Sequence, residues 1–134
     1  MEAQEIFDTV AKHLFVQGRR AVNPDIPEMC HYRGAGGTAC AVGVLIPDEV
    51  YDPMMEGRTV IGLLSHPGFK LPRWLWNNET LLIELQDVHD VEHNWEGSAT
   101  MKAALSKVAK ESSLTSDVLN GLSFAWEDKA GEQV

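Results

Sequence analysis

Cys30-His31-Tyr32-Arg33-Gly34-Ala35-Gly36-Gly37-Thr38-Ala39-Cys40-Ala41-Val42-Gly43-Val44-Leu45-Ile46 is the part of the chain that reads as sheet. Glycine accepts positive φ, so residues 34–37 fit a tight hairpin turn between strands at 29–33 and 38–46. With the turn centred near 35–37, Cys30 and Cys40 would lie close together across the ladder. Residues 41–46 are apolar throughout, which suits a strand covered on both faces.

Outward from the hairpin the chain reads as helix. Ile6, Phe7, Val10, Ala11, Leu14 and Phe15 share one side of a helix over 3–17, and Gly18 is its stop. Asn23-Pro24 and Ile26-Pro27 make 21–29 a connection. Residues 47–51 fit one helical turn, ended by Asp52-Pro53. A helix is assigned to 59–65 and a loop to 66–76. Asn77 or Asn78 then caps a long helix to about residue 94. It places Leu81, Leu82, Leu85, Val88 and His89 on one face and Glu84, Asp87 and Asp90 on the other. Helices follow over 99–111 and 116–126. The expected architecture is a single α+β domain over 1–128, mostly helical, in which four or five helices carry a small antiparallel β-hairpin. Residues 129–134 are expected to be a frayed tail.

A chain of 134 residues can bury a core without disulfides. It carries 20 Asp and Glu against 11 Lys and Arg, a formal net charge of −9. Such a surface repels phosphate backbones and argues against direct nucleic-acid binding. No apolar run reaches the roughly 18 residues of a membrane helix. The acidic opening Met1–Glu5 lacks a signal-peptide pattern. The expectation is a cytoplasmic protein away from membranes, with its cysteines as thiols or metal ligands.

Several groups of residues are candidates for chemistry. Cys30 and Cys40 on the hairpin, with His89 and His93 one helical turn apart, would make a tetrahedral zinc site, and His31 and His66 are further candidates. The competing readings are two small buried hydrophobes or a disulfide. His89 beside Asp90 has the setting of a general base, or of a core histidine bonded to the backbone; no nucleophile accompanies it. Between Arg73 and Lys102 there is no Lys or Arg but there are six carboxylates: Glu79, Glu84, Asp87, Asp90, Glu92 and Glu96. They make a solvated face or a docking surface for a basic protein partner, on which Glu84, Asp87 and Asp90 with Trp74 would be the contacts. Arg33, Asp48 and Glu56 could line a pocket between the hairpin and the His89 helix. Residues 34–37 lack the phosphate-loop pattern. The last two helices have helix-turn-helix spacing, but the second carries no basic residue, so an αα-hairpin is preferred.

The pattern Cys30-x-Tyr32-Arg33, Gly37-x-x-Cys40-Ala41-Val42-Gly43, Leu45-Ile46-Pro47-Asp48-Glu49-x-Tyr51 and Met55-Glu56-Gly57 resembles a group of small proteins encoded by phages and proteobacteria. The resemblance runs on through Leu85-Gln86-x-x-His89-Asp90 and Trp95. It implies an origin and no mechanism, since no activity is established for the group. Small acidic phage proteins are often inhibitors of host machinery. The leading expectation is therefore an acidic interaction protein, an inhibitor or modulator of a host protein, without a cofactor. The alternative is a zinc-stabilised domain or small metal-dependent enzyme using Cys30, Cys40, His89 and His93.

Overall fold

The structure is a computed structural model that describes residues 1–127; the tail expected over 129–134 lies outside the described residues. Helix α1, Ala3–Gln17, buries Ile6, Phe7, Val10, Ala11, Leu14 and Phe15, the stripe set by its periodicity. It stops at Gly18, whose φ of 73° is left-handed and whose N–H reaches the Leu14 carbonyl. Helix α2, Val60–Ser65, is capped by Thr59, whose hydroxyl accepts the Gly62 N–H at 3.0 Å. Helix α3, Arg73–Trp76, lies within the stretch expected to be a loop. Helix α4, Glu79–Asp90, is the centre of the molecule and packs against α1, α2 and α3. Helix α5, Ser98–Glu111, closes the bundle over α4 and α1.

Leu82, Leu85, Met101 and Leu105 from α4 and α5 meet Ile6, Phe7 and Leu14 from α1 in one core. At one end Phe124 stacks between Phe15, Trp95 and Trp126, with ring centroids at 4.8, 5.8 and 5.3 Å. The chain reaches this position because Ser98 Oγ accepts the Phe124 N–H at 2.9 Å, and the Glu127 carboxylate accepts the Ser98 N–H at 2.7 Å. No helix among the described residues is long and apolar enough to cross a membrane.

The β-hairpin is not formed, and the α+β assignment gives way to a helical fold. Among the described residues there is no strand or sheet, only the isolated bridges Val22↔Cys30 and Arg33↔Ala39. The reason lies in where the backbone groups go. The Tyr32 and Arg33 N–H groups both donate to the Glu56 carboxylate, at 2.7 and 3.0 Å. On the other segment Gln17 of α1 takes both backbone groups of Ala39, at 2.8 and 3.0 Å. Gln86 of α4 accepts the Val42 N–H at 3.1 Å. Two backbone bonds still cross between the segments, Cys40 N–H to the Tyr32 carbonyl at 3.1 Å and Gly34 N–H to the Thr38 carbonyl at 2.9 Å, and side chains satisfy groups that a longer ladder would otherwise have satisfied. From Cys40 the chain coils, with Val44 N–H on the Cys40 carbonyl and a 3-10 turn at Gly43–Leu45. The apolar run is buried as expected for residues covered on both sides, but it is not a strand.

Gly43 shows how closely these segments pass: a Cβ there would stand 1.9 Å from the Tyr32 carbonyl oxygen. Two further expectations change. The long helix ends at Asp90, not near residue 94, and a separate 3-10 turn, Glu92–Trp95, follows. The helix expected over 116–126 is reduced to a 3-10 turn, Asp117–Leu119, followed by non-helical chain to Phe124.

Candidate functional site

Cys30, His89 and Asp90 converge where the C-terminal end of α4 meets the chain leaving α1. One ligand atom from each lies within 4.8 Å of the others, a spacing that could hold a metal ion. His89 is fully buried because it falls on the same face as Leu82 and Leu85. Its Nε2 accepts the Ala21 N–H at 2.9 Å, and its Nδ1 lies 2.8 Å from Asp90 Oδ1. A backbone N–H can only donate, so Nε2 presents its lone pair and the ring proton sits on Nδ1, facing the carboxylate. A metal on Nδ1 would move that proton to Nε2 and set two donors against each other. Ion binding therefore requires the Ala21 contact to break.

Cys30 fits the same picture. Its Sγ accepts a long hydrogen bond from Arg20 Nη1 at 3.7 Å, and the same Nη1 donates to the Asp90 carbonyl at 3.3 Å. Burial pushes the thiol up and the Asp90 carboxylate adds to the effect, outweighing Arg20. A Cys-His-Asp set resembles a nucleophile with its base, yet an activated cysteine needs a lowered thiol and a free imidazole lone pair. Neither condition holds here.

Cys40 and His93 do not join this cluster. Cys40 is fully buried, its Sγ accepts the Gly43 N–H at 3.2 Å, and burial pushes its thiol up to about 12. His93 is on the 3-10 turn beyond α4, exposed and paired with Glu96 at 3.0 Å. His66 stacks on Phe69. The four-ligand set of Cys30, Cys40, His89 and His93 is thus not brought together, because α4 ends before His93.

Arg33 and Asp48 line a cavity of about 420 Å³ with His13, on the α1 side of the segment, and His89 does not line it. They pair with each other at 2.7 Å, and Arg33 also donates to the Gly43 and Ile46 carbonyls. Glu56 does not line that cavity. Its oxygens accept from Tyr32, Arg33 and, at 2.7 Å, the Tyr51 hydroxyl. All three residues thus make internal contacts, with Glu56 committed to holding the backbone.

The acidic residues divide by role. Asp90 accepts from His89 and from Gln86 at 3.2 Å, so it serves the interior. The exposed Asp87 carboxylate forms no hydrogen bond or ion pair among the described residues. Glu84 is half-buried, and its Oε2 is the one buried side-chain polar atom among the described residues without a partner. Glu84 and Asp87 line an open groove between α4 and α5, and Asp87 with Asp90 lines another between α2 and α4. Trp74 is half-buried against the core, whereas Trp76 is 46% exposed. The exposed tryptophan is therefore the one that the sequence reading did not choose.

Sequence reasoning also missed Gln17, Gln86 and Ala21, whose contacts join segments far apart in the chain and leave no local signal. The chain matches no protein-family model, no curated protein and no solved structure.

Proposed function

We propose that the chain is a small interaction protein that binds a basic protein partner through the outer face of α4, led by Glu84 and Asp87. The observation that carries this reading is that these two carboxylates lie on open grooves and, although Lys107 lines one of them, form no ion pair among the described residues, whereas His89, Asp90 and Glu56 are committed to the fold. The net charge of −9 would steer a basic partner toward this face. The resemblance to small phage proteins supports a cytoplasmic inhibitor or modulator of a host protein. The test is affinity capture at about 50 mM salt, where such contacts are strong. A basic partner should be retained by wild type and by the charge-matched variant E28Q/E49Q, and lost by E84Q/D87N. Equal retention by both variants would refute the reading.

A second reading rests on the Cys30, His89 and Asp90 spacing: a zinc-dependent domain. Stoichiometric zinc in tag-free protein, together with a melting temperature lowered by chelator, would establish it. The leading reading expects substoichiometric zinc and an unchanged melting temperature.

A further inference from the structure

Trp76, Asn77, Glu79, Glu84, Glu111 and Ser112 line a cavity of about 610 Å³ between the start of α4 and the end of α5. Three of its lining residues are carboxylates, and none is Lys or Arg. Ion pairs among the described residues are confined to Arg33–Asp48, His89–Asp90 and His93–Glu96, so these three carboxylates have no internal cation. Lys107 lines the neighbouring α4–α5 groove, which Glu84 and Glu111 also line, and Arg73 shares an adjoining cavity with Trp76 and Asn77, but neither pairs with these carboxylates.

Each wall favours a cation for its own reason. Glu111 is the last residue of α5, where the unsatisfied carbonyl end of the helix adds to its negative charge. Glu79 is in the first turn of α4 and offsets that helix's positive end. Glu84 lines the cavity with a carboxylate whose Oε2 is buried without a donor, and a half-buried charge with no partner is costly unless a cation is brought near it. Trp76, 46% exposed, offers a ring face. A planar guanidinium can lie on an indole and donate to carboxylates with the same group, which an ammonium does less well.

We infer that this cavity is a receptor for an arginine side chain, the anchor by which a basic partner is held. The inference rests on the basic-partner reading above and adds the pocket and the residue type. The probe is the peptide acetyl-(Gly-Arg)3-amide, with its citrulline counterpart as an uncharged control. Binding is read at about 50 mM salt from the indole N–H resonance of Trp76, assigned with W76F. The arginine peptide should shift that resonance saturably and the citrulline peptide should not. E84Q/E111Q should weaken binding at least about tenfold, a clear change in dissociation constant, while E28Q/E49Q stays within about twofold. If α4 resonances move while Trp76 does not, the pocket is wrong and the basic-partner reading stands; if the two double variants weaken binding equally, binding follows overall charge and both readings fall. If the arginine peptide binds nowhere, both fall.

Discussion

His89 illustrates how a residue with catalytic chemistry becomes structural. Both ring nitrogens are committed, Nε2 to the Ala21 N–H and Nδ1 to Asp90. His89→Phe would leave a buried N–H unpaired and should cost about 2–3 kcal/mol in chemical denaturation. His89→Gln, which can offer an acceptor to Ala21, should recover part of that loss. Ring nitrogen NMR should find the proton on Nδ1; a proton on Nε2 would contradict this arrangement. Glu56 and Asp48 make a second contrast. Glu56 holds two backbone N–H groups and the Tyr51 hydroxyl, so Glu56→Ala should cost about 2–4 kcal/mol. The Asp48 side chain is 90% exposed, and Asp48→Ala should cost no more than about 0.5 kcal/mol.

Segment 29–46 is where the elements part from the pattern. If Gln17 and Gln86 replace a β-ladder, Gln17→Ala and Gln86→Ala should each lose about 1–2 kcal/mol on urea unfolding. Losses near zero would mean that the segment is held in some other way. Gly43→Ala should be worse than either, because its Cβ would collide with the Tyr32 carbonyl. Helices α1, α2 and α5 were legible because their apolar residues repeat at helical spacing and their stops are local, as Gly18 shows. A short apolar run such as 41–46 carries no period that separates a strand from buried coil, so its state depends on distant partners. The end of α4 at Asp90 was hidden for a related reason: residues 92–95 remain helical in type but turn away as a 3-10 segment. That one break separated His93 from His89. The acidic face was legible from charge alone, but Trp76 as its exposed neighbour required knowing that α3 exists.

At the scale of the whole molecule, charge and stability respond to pH in a fixed direction. Burial holds His13 below its ordinary value of 6.5, against the opposing effect of its hydrogen bond to Ala39. The unfolded chain therefore takes up the proton first, and the His13 contribution, full above pH 6.5, is lost as pH falls below it. His13→Gln should flatten this part of the profile. Hydrogen bonds from Ser98 hold the Glu127 carboxyl below its ordinary 4.5, so its contribution is lost in turn as pH falls below that value. Together with a net charge of −9, these effects fit the proposed interaction protein, whose interior polar groups would serve the fold and whose binding chemistry would lie on its surface. Hydrogen–deuterium exchange of the chain with its captured basic partner tests that claim most directly. New protection should concentrate on Glu79–Asp90 and Ser98–Glu111, the helices that carry Glu84, Asp87 and Glu111. Protection centred on Cys30–Glu56, with α4 and α5 unchanged, would contradict it.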